Sequence, residues 1–212
     1  MAGDGSEVED LLRRAAAGDG QAVNDLFARH RDRLRAMVRL RLNRRLQGRV
    51  DPSDVLQDAF LEVGKHFADY ARDPKLPFFL WLRHVTGQKL IAVHRRHLGA
   101  QARDADREVS LYRGALPQAS SASLAAQLLG RFTSASRAAA RAELQVRVQE
   151  ALNAMDPLDR EVLALRHFEM LTNAEVAAVL GVKKSAASNR YVRALERLKD
   201  VLAGSPGFTD FA

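Results

Sequence analysis

The stretch from Thr172 to Gly181 limits what this chain can fold into more than any other. Thr172-Asn173-Ala174-Glu175 has the spacing of a capping box, in which a Thr hydroxyl and a Glu carboxylate satisfy backbone amides at a helix start. Leu171 before it and Val176 within it are placed for a hydrophobic staple. The helix so begun meets Gly181, the residue best suited to the left-handed backbone of a sharp turn. Ala177 is small enough for a second helix to cross closely, and Val182 falls where it can plug the angle between the two. A second helix follows over about Ser185 to Leu202, with Leu195, Leu198 and Leu202 expected inward. Two helices joined in this way form a helix-turn-helix.

The rest of the chain is helical by the same kind of reading. Val8 to Ala17 has a helical pattern, and Asp19 in the Gly18-Asp19-Gly20 turn is placed to cap the next helix, predicted over Gln21 to Leu46. Within it Val23, Leu26, Phe27, Leu34, Val38 and Leu42 recur at helical spacing among arginines. Asp51-Pro52-Ser53-Asp54 is a helix start, with a capping acid, a proline at the first helical position and an acid at the third. Leu56, Phe60, Val63 and Phe67 then share one face, while Asp54, Gln57, Asp58 and Leu61 share a neighbouring one. Two prolines interrupt the pattern over Asp69 to Pro77, and a long helix is predicted from Phe78 to His97. Met155-Asp156-Pro157-Leu158-Asp159 repeats the start used at Asp51, after a stripe of Leu144, Val148, Leu152 and Met155. Leu158, Val162 and Leu165 are expected on the core face of the helix that follows.

No run of strand periodicity has convincing length, so the fold class is all-α. Two small helical domains are expected, over residues 1–98 and 143–203, with a tail over 204–212. Residues 99–142 are rich in Ala, Ser, Gln and Gly and too poor in large apolar side chains for a core of their own. They read as a flexible linker with a short helix around Leu124 to Leu129.

Composition removes several function classes. The absence of cysteine excludes disulfide scaffolds, thiol catalysis and Cys-ligated zinc. No apolar stretch is long enough to span a bilayer, and four acids within Met1–Asp10 argue against a signal or transit peptide. A cytoplasmic protein without membrane insertion is the expectation. The charge is unevenly spread: residues 21–98 hold 16 bases and 8 acids, an excess of eight, dominated by arginine. In the second block, residues 183–199 carry Lys183, Lys184, Arg190, Arg193, Arg197 and Lys199 against Glu196 alone. Bases confined to the last helix of a helix-turn-helix fit a recognition helix entering a major groove.

The stretch P-L-D-R-E-V-L-A-L-R-H-F-E-M-L-T-N-A-E-V-A-A-V-L-G-V, Pro157 to Val182, closely resembles promoter-binding region 4 of bacterial sigma factors. D-P-S-D-V-L-Q-D-A-F-L-E-V, from Asp51, matches the region 2 pattern D-x-x-Q-[DE]-x-F, and F-F-L-W-L-R-H-V, from Phe78, resembles its F-x-x-W-L-x-x-[IV]. Their order and spacing resemble the small extracytoplasmic-function type, which has regions 2 and 4 and no region 3 domain. The resemblance implies that Asp54, Gln57, Asp58 and Leu61 face the β′ clamp helices of core RNA polymerase, with the β flap as a further contact. It implies that Arg72, Lys75, Phe78, Phe79, Trp81, Arg83, Lys89, Arg95 and Arg96 lie on the −10 side, where a loop over Tyr70–Pro77 captures an unpaired base of the melted single strand. It further implies that Lys183, Lys184, Ser185, Ser188, Asn189, Arg190 and Arg193 meet the −35 element of double-stranded promoter DNA. Read from the residues alone, Trp81 favours a core position, while Phe78 and Phe79 stay open between core packing and base stacking. Chains of this type are often held by an anti-sigma factor, which makes one a candidate partner.

The chain departs from the family pattern where Gln88 and Ala92 replace a common Asn and Asp, and where Lys183-Lys184-Ser185-Ala186-Ala187 opens the recognition helix. Lys183 is a poor cap, so Ser185 is an alternative start two residues later. A stand-alone helix-turn-helix regulator with a helical sensor or dimerisation domain is the first rival. It leaves the basic excess of residues 21–98 and the Asp54–Asp58 face unexplained. An enzyme is the second: His94 and His97, three apart, could share a metal. They sit among arginines with no nearby carboxylate, which favours phosphate-facing or surface histidines. No nucleophile motif or phosphate-binding Gly loop occurs, so neither catalytic residues, a metal nor a cofactor is expected.

Overall fold

Each helix start expected from an acid is made by that acid. Asp19 accepts from the backbone amides of Gln21 and Ala22, Asp51 from Ser53, and Asp156 from Leu158. The computed structural model describes residues 3–98, 116–130 and 138–203, and among these every regular element is helical. They fall into two units, one holding residues 3–98 with Leu116 and Pro117, the other residues 118–130 and 138–203.

The first unit contains α1 (Gly3–Ala16), α2 (Gly20–Arg41), α3 (Pro52–Arg72) and α4 (Phe78–Leu98). Its core is built from Leu26, Leu34, Met37, Val38 and Leu40 of α2, Leu56, Val63 and Phe67 of α3, and Leu82 and Leu90 of α4. Helix α2 stops short of the predicted Leu46. Leu42 turns extended, and Asn43 opens a 3-10 turn over Arg44–Leu46 by accepting the Arg45 amide on its own side chain. Leu42 and Leu46, on either side of this break, are both buried.

Helix α3 instead outruns its expected break at Asp69. It continues to Arg72 and ends at Asp73, whose backbone leaves the helical region because Pro74 follows. Helix α4 closely follows its prediction, and Gly87 within it lies against Leu116. The carbonyl of the next residue, Pro117, accepts a hydrogen bond of 2.9 Å from the buried Arg41.

The second unit contains α5 (Ser121–Gly130), α6 (Ala138–Asn153), α7 (Pro157–Leu163), α8 (Asn173–Leu180) and α9 (Lys184–Ala203). The short helix expected within the linker is present and longer than predicted. Leu124 and Leu129 are fully buried and α5 packs on α6, so this part of residues 99–142 is core and not a flexible spacer. A narrow apolar stripe suffices there because α6 supplies the other half of the interface. Arg160 reinforces it with hydrogen bonds to Ser121 and Gln118. Residues 99–115 and 131–137, in the same predicted linker, lie outside the described residues, as does the 204–212 tail.

After α7 the chain forms a π-turn over Ala164–Phe168, closed by the Glu169 amide donating to the Ala164 carbonyl. The turn buries both Leu165 and Phe168. Leu158 and Leu195, expected inward, are exposed by 39% and 36%; Val162, Leu163 and the small residues Ala187 and Ala194 fill those places. Small side chains let α9 approach its neighbours closely. Leu198 is inward as expected, and the Leu202 side chain lies outside the described residues.

Candidate nucleic-acid interface

Three local devices shape the helix-turn-helix. Both halves of the Thr172–Glu175 capping box are formed, Gly181 adopts φ +63°, and the Val182 amide donates to the Ala177 carbonyl at 3.0 Å. Helix α9 then begins at Lys184, and the Ala187 amide bonds the Lys183 carbonyl. The later start at Ser185 is therefore not taken. Asn173 makes the early start work, since its side-chain amide donates to the Lys184 carbonyl at 2.9 Å and ties the two helix beginnings together.

The predicted −35 residues divide into two groups. Lys183, Lys184, Ser185, Ser188 and Asn189 are all exposed near the start of α9, a cationic and hydrogen-bonding surface that leaves base edges and phosphates equally accessible. Arg190 is turned inward instead. Its guanidinium lies 2.6 Å from Asp159 and 3.2 Å from Asp156, with the side chain only 22% exposed. Arg193 reaches the same Asp159 at 3.3 Å but keeps 60% exposure. Arg190 thus braces α9 on α7, which corrects its expected place among the exposed groups.

Further positioning residues escaped the sequence reading. Tyr191 and His167 share a hydrogen bond of 3.0 Å, and Arg166 donates to the Leu171 carbonyl at 2.8 Å while lying over the Tyr191 ring. The matched spacing of Asp156 with Asp159 and Arg190 with Arg193 was a usable signal. Asn173 and His167 gave none, because their partners are backbone or lie 24 residues away.

In the first unit, Asp54, Gln57, Asp58 and Leu61 are exposed along α3 as the spacing predicted, and Leu61 keeps 58% of its surface in solvent. An exposed leucine beside two carboxylates suits a docking face better than a core-facing stripe. The predicted −10 group is dispersed. Phe78 and Phe79 are buried; Phe78 packs within an aromatic cluster with Phe67, Tyr70 and Trp81, and Arg33 lies 3.5 Å over the Phe79 ring. Trp81, which the residues alone placed in the core, is half-buried, stacked on Tyr70 at 4.5 Å and 18°. Arg83 is buried, which takes it out of reach of a backbone phosphate.

Lys89 is held in an ion pair of 2.8 Å with Glu62 of α3. The Lys89 hydrogen bond, followed by that from His66, depresses the Glu62 carboxyl to about 2. Arg72 and Lys75 are exposed beside Asp69 and Asp73, and Arg95 and Arg96 are exposed at the end of α4. The expected loop over Tyr70–Pro77 is shorter, since Tyr70 to Arg72 belong to α3; the Tyr70 hydroxyl donates to the Leu76 carbonyl at 3.0 Å and closes it. His94 is buried and accepts from the Asn43 amide at 3.2 Å, so of the two histidines only His97 is at the surface.

Residues 145–198 match the family model described as "Sigma-70, region 4". RNA polymerase sigma factor NccH of Alcaligenes xylosoxydans xylosoxydans is 29% identical over 206 residues, covering 95% of this chain and 98% of that protein. ECF RNA polymerase sigma factor SigD of Mycobacterium tuberculosis is 25% identical over 201 residues, covering 95% and 86%. Over nearly its whole length the chain is thus similar to sigma factors, among them one named as of the ECF type. Among solved structures, CnrH in complex with the cytosolic domain of CnrY matches this chain with a TM-score of 0.53 and 27% identity, over 93% of this chain and 97% of that one. The similarity to these relatives runs through both units, so it reaches the α3 face and α4 as well as the helix-turn-helix. No described helix of the chain is long and apolar enough to cross a membrane.

Proposed function

We propose that this chain is a sigma factor, a promoter-specificity subunit that binds core RNA polymerase, recognises promoter DNA and helps to open the −10 region. The observation that carries the reading is the pairing of two features in one chain. The helix-turn-helix exposes Lys183, Lys184, Ser185, Ser188 and Asn189 together, and α3 exposes Asp54, Gln57, Asp58 and Leu61 along one face. A DNA-binding regulator has no need of the second feature.

Each predicted group takes its role from its geometry. The exposed start of α9 reads the −35 element, with the lysines on phosphate and the serines and Asn189 on base edges. Arg190 positions that helix. The α3 face docks on basic helices of the β′ subunit, with acids for charge complementarity and Leu61 for apolar burial. Trp81 offers one ring face to an unpaired −10 base, with Tyr70 stacked behind it, and such stacking contributes about 1–3 kcal/mol per base. Arg72 and Lys75 border that ring's loop, while Arg95 and Arg96 continue the basic surface along α4.

The polymerase performs the chemistry, and the chain acts beside it in the cytoplasm without catalysis of its own. CnrH was solved with a protein partner bound, which supports an anti-sigma factor as a partner here too.

Run-off transcription with purified core polymerase on fragments of the source genome tests the reading. Discrete new 5′ ends sharing upstream motifs are expected only when the chain is added. Asp58→Arg should abolish them while leaving the fold intact, since Asp58 is exposed. Site-specific duplex binding without polymerase, and no initiation with it, would transfer the chain to the regulator class.

A further inference from the structure

Within the first unit, two long stretches of the sequence lack carboxylates altogether. Between Asp32 and Asp51 lie seven arginines and no acid, and between Asp73 and Asp104 there is again no acid. The first stretch ends in the 3-10 turn after α2, and the second contains α4. The fold joins them where the Asn43 amide donates to Nε2 of His94. Arg44 and Arg45 follow Asn43 directly, and Arg95 and Arg96 follow His94, so the hydrogen bond ties together the two segments that carry these arginine pairs.

Arg44, Arg45, Arg49, Arg95, Arg96 and His97 are all exposed there. Arg44, Arg45, Arg49 and Arg96 have no ion-pair partner among the described residues. The neighbouring carboxylate in sequence, Asp51, is engaged by the Ser53 amide and lies in the field of Arg35 and Arg39. The turn is firmly held: Leu42 and Leu46 are buried on either side, and Asn43 caps it by accepting from the Arg45 amide.

Four guanidinium groups without an ion-pair partner, those of Arg44, Arg45, Arg49 and Arg96, disfavour one another by mutual repulsion. A polyanion relieves that repulsion. All five cations are arginines, whose planar fork suits phosphate oxygens, and duplex DNA offers roughly one negative charge per 1.7 Å of its axis. We propose that the Arg44–Arg49 turn, with Arg95 and Arg96, is a binding surface for the phosphodiester backbone of duplex DNA. It rests on the proposed function and adds a sequence-independent contact next to the end of α4.

Because such a contact does not read bases, the test needs no known promoter. A mixed-sequence duplex of about 40 base pairs is titrated with the full chain by fluorescence anisotropy between ~50 and ~200 mM NaCl. For Arg44→Ala/Arg45→Ala/Arg49→Ala the slope of log K against log salt should shrink by about 2–3, with affinity at least roughly tenfold lower. Arg49→Ala alone, remote from the Asn43 cap, should lower the slope by about 1 and guards against misfolding of the triple variant.

An unchanged slope in both variants overturns the proposal. So does a triple variant that keeps its slope and loses capture of core polymerase, which would make the turn a protein contact. Wild-type run-off transcription in parallel separates the two failures. Transcription with an unchanged slope discards the arginine surface alone, whereas no transcription discards the reading beneath it.

Discussion

Asp159 of α7 and Arg190 of α9 approach to 2.6 Å, and the same carboxylate oxygen also receives Arg193 at 3.3 Å. One side chain, 12% exposed, therefore sets the height of α9 against the rest of its unit. Removing it leaves Arg190 partly buried without its main partner, although Asp156 stays within 3.2 Å. Asp159→Ala should destabilise the second unit by about 1–3 kcal/mol, less than a fully buried pair would lose. Urea unfolding followed by circular dichroism measures this. DNA binding by the same variant should weaken even though Asp159 is an acid, because α9 loses its brace. Improved binding on loss of the negative charge would show that the brace is unimportant.

Gly181 offers a test of the turn itself. Its φ of +63° costs a side-chain-bearing residue about 1–2 kcal/mol, so Gly181→Ala should lower the stability of the helix-turn-helix by that order. Thr172→Ala, which removes the capping hydroxyl, should cost about 1 kcal/mol. The two sites serve opposite ends of α8, so thermal unfolding of the double variant should show near-additive losses.

His94 makes stability depend on pH. Burial holds its imidazole pKa below the ordinary value of 6.5, and Nε2 can accept from Asn43 only when unprotonated. As pH falls through 6.5 the unfolded chain takes up a proton before the folded one does. The stabilisation is therefore complete above that value and is lost progressively below it. His84 shifts the same way, from burial and then from Arg83, so a comparison of variants is needed to isolate His94. Between pH ~7.5 and ~5.5 the wild type should lose more stability than His94→Gln in urea titrations. Equal losses in the two proteins would remove His94 from the account.

Glu62 acts at lower pH. Its carboxyl is held at about 2, against an ordinary 4.5, chiefly by the Lys89 hydrogen bond and then by His66. This stabilisation is present above 4.5 and disappears as pH falls toward 2. Lys89→Met should abolish most of that acid sensitivity, read as a flatter stability profile below pH ~4.5. Its loss of DNA affinity should be small beside that of the Arg44/Arg45/Arg49 variant, because the Lys89 charge is already engaged.

Much of the molecule was legible from the sequence because the relevant interactions are local. A capping acid bonds amides two or three residues away, a capping box closes within four residues, and Gly181 answers to its own backbone angle. Such features depend little on what the chain does elsewhere, so α3, α4 and α8 fell close to where their starts and stripes put them. The exposed face of Asp54, Gln57, Asp58 and Leu61 was readable for the same reason: a helix with one apolar stripe fixes its other faces by rotation.

Only tertiary structure could sort the charged and aromatic side chains. Arg190, Lys89 and Arg83 are cations on basic helices, and nothing within a turn of each distinguishes them from Lys184 or Arg96. Whether a guanidinium faces solvent or a carboxylate depends on which helix crosses above it, and Asp159 lies 31 residues from Arg190. The same holds for Phe78, Phe79 and Trp81, neighbours on one helix that divide between core and surface according to where α2 and α3 cover them. Local hydrogen bonding and periodicity determined the helices and their starts. The packing of those helices decided which bases remained free for a partner, because desolvation and pairing are set by whatever arrives through space.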